Sequence, residues 1–333
     1  MMPSFKFRKN LLLTLIASAV ILIAVNIFFD SDLLINNSDV DTIDEEEISQ
    51  KFLNILAEFD IENKFIKENK LKDKHSNQEF SNFKVQVPKD LPIPEILQDV
   101  FQSFRKDSLI IQSFEKVKGS KTTLALKMGS STLLQAEFDY AKSYSRNKGY
   151  LAFILNDVDP TNASTTALIE SPAKLNLLIR PETKYLQQLE FIRNNGQQFS
   201  VLIDDDISEQ KYKLGADYSE RRIVTVIKTL VADFQEAVCF IIDENSNFYN
   251  SPNYEILNRE LSKRKIKLFR TSDFVKLGYD ETILSSFDDQ MESLVSGGSI
   301  IFLVSEDAYM ALNTEINKYK KKGYRIIGSS LTF

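Results

Sequence analysis

The sequence is nearly empty of the residues that most hydrolytic sites require. It has one histidine, one cysteine and no tryptophan in 333 residues. A catalytic zinc site uses two or three histidine ligands, and a Ser-His-Asp or Cys-His site needs one well-placed histidine. The only candidate, His75, sits in the polar stretch 70–78, which reads as a solvated loop. Without a histidine partner, Ser208 and Ser305 are poor nucleophiles. The lone Cys239 excludes an internal disulfide framework. Its place in the apolar run Ala237-Val238-Cys239-Phe240-Ile241-Ile242 predicts a buried structural thiol. Clustered basic charge is missing as well: 41 Lys and Arg stand against 47 Asp and Glu, a net charge of −6. A nucleic-acid partner would call for a basic face. No G-x-G-x-x-G follows a strand-like run and no G-x-x-x-x-G-K-[ST] occurs, so nucleotide binding has no motif support.

What the sequence does contain begins with residues 11–29, almost uniformly apolar and broken only by Thr14, Ser18 and Asn26. As a helix, at about 1.5 Å per residue, they would span roughly 28 Å, close to a hydrocarbon core. Lys6, Arg8 and Lys9 precede them, and Asp30 and Asp32 follow. This charge bias predicts a cytoplasmic basic tail (1–10), a single-pass anchor (11–29) in the cytoplasmic, or inner, membrane, and an extracytoplasmic remainder. A cleaved signal peptide is the competing reading, but Asn26-Ile27-Phe28-Phe29 fills the place of a small-residue cleavage site. Residues 30–46, acidic and rich in Asn and Ser, read as a linker.

Residues 47–145 read as a small α+β domain. Ile48, Phe52, Ile55, Leu56 and Phe59 repeat at helical spacing. Pro92 and Pro94 open a second helix carrying Ile96, Leu97, Val100, Phe101 and Phe104. Strand-like runs cover 83–88, 109–114, 122–127 and 132–138, a spacer or partner-binding module with no site signal of its own. From Tyr150 the pattern changes. Short apolar runs at 150–155, 175–179, 198–203, 237–242, 266–270, 299–304 and 324–328 alternate with helical periodicity at 184–194, 219–235, 253–264, 287–296 and 307–322. Such alternation implies parallel βαβ units. Over 150–333 it fits a compact β/α barrel, complete or incomplete, with an open doubly wound sheet as the alternative.

Parallel α/β folds build their sites at the C-terminal ends of their strands. The first run, Tyr150–Leu155, reads as a fully buried strand and ends in Asn156-Asp157-Val158-Asp159-Pro160. The other strand ends gather Arg180, Glu182, Asp204, Asp205, Asp206, Asp243, Glu244, Ser305 and Glu306. The candidate binding rim is Asn156, Asp157, Asp159, Arg180, Asp204, Asp243, Glu244 and Glu306. The bland alternative is that loops are acidic because they face water. Phe248, Tyr249 and Tyr254 could stack on a sugar ring or pack a loop.

This half resembles the divergent polysaccharide deacetylases, a branch of the NodB-like carbohydrate esterases. The resemblance rests on the order of Leu155-Asn156-Asp157-Val158-Asp159, Leu177-Leu178-Ile179-Arg180-Pro181, Gly196–Leu202, Phe240–Ser246 and Ser299–Val304. It implies a (β/α)7 barrel in which an aspartate and two histidines hold a divalent metal and a second aspartate acts as general base. Here the aspartate that would hold the metal matches Asp157, the base position reads Asn156, and the positions matching histidine read Leu202, Asp243 and Val304. An amide cannot take up a proton at neutral pH, and leucine and valine ligate nothing. The implied protein is therefore a membrane-anchored, extracytoplasmic, catalytically inactive relative that binds a glycan or a cell-envelope protein partner and needs no cofactor. The alternative is an active carbohydrate hydrolase or deacetylase with a rewired carboxylate metal site. A third reading is a structural envelope protein acting through residues 47–145.

Overall fold

A computed structural model describes residues 45–73, 79–105, 107, 109–115 and 121–333. The expected anchor at 11–29, most of the expected linker and His75 lie outside the described residues. Among those residues, no helix is long and apolar enough to cross a membrane. Helix α1 (Glu45–Glu58) opens with Glu45, Glu46 and Glu47, where negative charge complements the positive end of the helix dipole. The compact unit that follows runs from Phe52 to Phe333 and contains two sheets.

The first sheet has five strands in the order β1 (Ile66–Lys72), β2 (Glu79–Val87), β5 (Ser131–Tyr140), β4 (Thr122–Met128), β3 (Ile110–Glu115). Only the β2–β5 pair is parallel. Alternation decides its faces: Phe83, Val85, Leu124, Leu126, Leu134, Ala136 and Phe138 point to one side and are buried. Helix α2 (Ile93–Phe104) buries Ile93, Ile96, Val100 and Phe104, a stripe at helical spacing. Phe52 packs its ring against Phe83 and Phe138 at 5.2 and 6.2 Å. The sequence shows no strand signal at β1 because six of its seven residues are exposed and four are charged. An edge strand of that composition resists pairing with other chains.

The second sheet has eight strands, all parallel. Its path runs β10 (Leu268–Arg270), β9 (Phe240–Ile242), β8 (Gln198–Ile203), β7 (Leu175–Ile179), β6 (Gly149–Asn156), β12 (Gly298–Ser305), β11 (Val275–Leu277). The eighth strand, β13 (Tyr324–Ile326), pairs with the first residues of β6, while β7 pairs with Phe153–Leu155 further along the same edge. Helices α3 (Ala163–Ile169), α4 (Leu186–Asn194), α5 (Glu220–Asp233), α6 (Asn253–Lys263), α7 (Ile283–Ser293) and α8 (Glu306–Lys321) connect the strands.

The two ends of this path, β10 and β11, are joined by only residues 271–274. Five Cα steps reach at most about 18 Å. Seven flat strands at about 4.8 Å spacing would hold their edges roughly 29 Å apart. The sheet must therefore curl, and it does so without hydrogen bonds between β10 and β11. The β/α barrel expected from sequence is realised in its incomplete form, as a curled, hydrogen-bond-open parallel half-barrel. It differs in one extra three-residue strand, β11, and one extra short helix, α3. Both escape periodicity because each is too short to show a period.

The curl gives every strand an inner and an outer face. Outward go Leu151, Phe153, Leu155, Leu175, Leu177, Ile179, Phe199, Val201, Ile203, Phe240, Ile242, Phe302 and Val304, into one large core against the helices. Inward go Ile154, Leu178, Ile241 and Leu303, with Cys239, Phe274 and the partly buried Leu202, Phe269, Ile301 and Phe333. Below this inner layer the C-terminal residues close the interior. Asn176 Nδ2 donates to Ser200 Oγ at 2.9 Å and to Ser329 Oγ at 2.6 Å. The Phe333 ring lies 4.6 Å from Phe269. Burial pushes the Cys239 thiol up to about 12, as expected of an inert core cysteine.

Arg146 ties the two sheets together. Its side chain is only 3% exposed. Nε donates to Asp90 Oδ2 at 3.0 Å and Nη1 donates to the Phe59 carbonyl at 2.6 Å; Nη1 also reaches the Lys321 carbonyl at the end of α8. Gly323 is required beside it. Its φ is +101°, and a Cβ there would lie 2.8 Å from the Arg146 Cβ.

Candidate functional site

The curl leaves an opening at the C-terminal ends of the parallel strands, and a cavity of about 710 Å³ occupies it. Its construction follows from period-two alternation. Leu178, Leu202 and Leu303 form the floor, and two residues further along each strand the same inner face presents Arg180, Asp204 and Ser305. Asn156 and Asp243 stand in the same relation to Ile154 and Ile241. Asp157, Asp205, Asp206, Asn245, Ser246, Thr271, Lys276 and Tyr279 complete the wall.

Of the rim residues expected from sequence, Asn156, Asp157, Arg180, Asp204 and Asp243 come together on this cavity. Asp159 instead accepts bonds from the Thr161 backbone N–H and hydroxyl, at 2.9 and 2.6 Å, and closes a local turn. Burial there favours the protonated form, but those bonds outweigh it and hold the carboxyl below its ordinary range. Glu244 lies behind the wall. It accepts from Thr271 Oγ1 at 2.6 Å and from Lys276 Nζ at 3.4 Å, both wall residues. Burial pulls its pKa up, but the hydroxyl, the lysine and the Ser272 N–H prevail and leave it at about 2. Glu306 opens α8 and accepts from Thr165 Oγ1 at 2.6 Å. It lines a different cavity of about 840 Å³, bounded largely by apolar side chains of α3, α8 and the β13 region.

Within the polar cavity the charges are organised by Arg180. Its Nε and Nη2 donate to Asp204 Oδ2 at 2.9 and 2.7 Å, and Asp206 lies 3.7 Å away. The Asp204 bonds, then the Asp206 and Asp157 charges, raise the guanidinium pKa further. Asp204 Oδ1 accepts from the Asp206 N–H. Asp205 accepts from the Asn247 N–H and side chain at 2.7 and 2.8 Å. Asp243 Oδ1 accepts from the Asn245 N–H and side chain, both at 3.0 Å. Asp157 has φ of +54°, a left-handed turn that aspartate tolerates better than most residues. Asn156 Nδ2 donates to Asp157 Oδ2 at 2.8 Å, and Asn156 Oδ1 is buried with no partner among the described residues.

No family model matches the chain, and no curated protein matches it. Among solved structures the chain is similar to PdaA of Bacillus subtilis, a family 4 carbohydrate esterase, at 14% identity. The match covers 55% of this chain and 79% of that one, with a TM-score of 0.31.

The geometry changes one sequence expectation and decides another. Val304, matched above to a metal-binding histidine, points outward into the helix-facing core. The residues of β12 that face the cavity are Leu303 and Ser305. For the aromatics the loop-packing alternative holds: Phe248 is fully buried, and Tyr249 and Tyr254 pack on each other at 4.7 Å. The aromatic at the cavity is Tyr279, which sequence reasoning missed along with Thr271 and Lys276. Thr271 and Tyr279 follow strands of three residues and Lys276 lies within one, and strands that short carry no periodic signal.

Proposed function

We propose that the protein is a membrane-anchored, extracytoplasmic relative of the polysaccharide deacetylases. It has lost the chemistry and keeps the strand-end cavity as a binding site for a glycan or a cell-envelope partner. One observation carries this reading. The inner positions of the cavity hold an amide (Asn156), a leucine floor (Leu178, Leu202, Leu303) and an ion pair (Arg180–Asp204), where a deacetylase would need a base and nitrogen ligands. The donor set is a poor fit for the divalent metal that the family resemblance implies. Asp204 is engaged by Arg180, no histidine reaches the cavity among the described residues, and no group of three or more His, Cys, Asp or Glu there is placed to hold an ion. Asn156 cannot deprotonate a water at neutral pH. The anchor is supported by the sequence of residues 11–29 alone.

The test is direct. Full-length protein is assayed for metal content and for acetate release from acetylated chitin oligomers. The expected outcome is neither stoichiometric metal nor turnover. Chelator-sensitive acetate release that disappears in Asp157→Ala would overturn the reading in favour of a rewired carboxylate site.

A further inference from the structure

We infer that the cavity selects an uncharged, hydroxyl-rich pyranose chain, and that Tyr279 is the side chain that grips it; this rests on the glycan arm of the function proposed above. Tyr279 is 67% exposed, more than any other aromatic side chain among the described residues. A lone exposed tyrosine elsewhere would need no explanation. This one stands on the wall of a cavity floored by Leu178, Leu202 and Leu303. A pyranose ring has apolar C–H faces and hydroxyl edges. The C–H faces match the negative face of an aromatic ring and the leucine floor, and the hydroxyl edges match acceptors. The acceptors are present: Asp157 Oδ1 and Asp243 Oδ2 have no hydrogen-bond partner among the described residues, while each partner oxygen is held by an asparagine. The cavity of about 710 Å³ falls in the range of small-ligand sites.

Charge then sets the specificity. Five aspartates line the cavity against one arginine and one lysine. Arg180 is occupied by Asp204, and Lys276 by Thr271 and Glu244. No basic group is left for a carboxylate or phosphate on the ligand. Bringing such a group into this wall places like charges together without a counter-charge. Anionic glycans are therefore excluded, and neutral ones are admitted.

The experiment titrates full-length protein in detergent by calorimetry with two probes, neutral cellotetraose and anionic tetragalacturonate. Cellotetraose is expected to bind, and tetragalacturonate to bind at least about tenfold more weakly. Tyr279→Ala is expected to weaken cellotetraose about tenfold, whereas Tyr279→Phe keeps the ring face and stays within about threefold. Because Tyr279 is exposed, neither variant should disturb folding, and an unchanged melting temperature checks this. If Tyr279→Ala binds cellotetraose as the wild type does, or if tetragalacturonate binds equally well, this inference falls while the glycan reading stands. If the wild type binds neither probe, both fall.

Discussion

The two ends of the curled parallel sheet are made from the same strands and teach opposite lessons. At the N-terminal end the interior is filled. Asn176, Ser200, Gln198 and the C-terminal serines bond to one another, with Asn176 Oδ1 the one atom of this group left buried without a partner among the described residues; Phe333 caps the layer, and no charged group enters these contacts. At the C-terminal end the interior is open, with an aspartate-rich wall around one arginine. The first arrangement is a core solution, because most of its buried polar atoms are paired and none is charged. The second keeps several carboxylates together, which costs stability through like-charge repulsion. A fold that needed only stability would have closed both ends alike. The contrast is what supports taking the open end as the candidate site.

Three substitutions sharpen that comparison, in decreasing order of effect. Ile154 is fully buried in the inner layer between the two ends. Ile154→Ala should cost about 2–5 kcal/mol in urea denaturation. A loss below about 1 kcal/mol would mean that the inner layer is not packed as described. Asn176→Ala at the closed end removes two donated bonds and should cost about 1–3 kcal/mol. The same experiment checks it, with no effect expected on any ligand bound at the open end. The smallest effect lies behind the open end. Glu244 has a folded value of about 2, lowered from its ordinary 4.5. Its contribution is fully present above about pH 4.5 and is lost as pH falls toward 2. Glu244→Gln should therefore destabilise at pH 7 and become indistinguishable from wild type near pH 2. A difference that persists unchanged at pH 2 would show that the carboxylate charge is not what stabilises this wall.

The sequence by itself determined the alternation of strands and helices after Tyr150. Runs such as Leu175–Ile179 and Gln198–Ile203 are long, apolar and punctuated, so local pattern and tertiary burial agree. It also marked Asn156, Asp157, Arg180, Asp204 and Asp243 as strand-end residues, because polar groups that follow an apolar strand stand out in one dimension. It could not say that Val304 faces the helices while Ser305 faces the cavity. A one-residue choice of face depends on which side of the strand the sheet curls toward. Nor could it bring Tyr279 to the cavity or send Glu306 to another one. Those placements were decided by the four-residue link between β10 and β11, which forces the sheet to curl, and by the path of α8 over its outer face. Both are long-range constraints, and the residues they position carry no local trace of them.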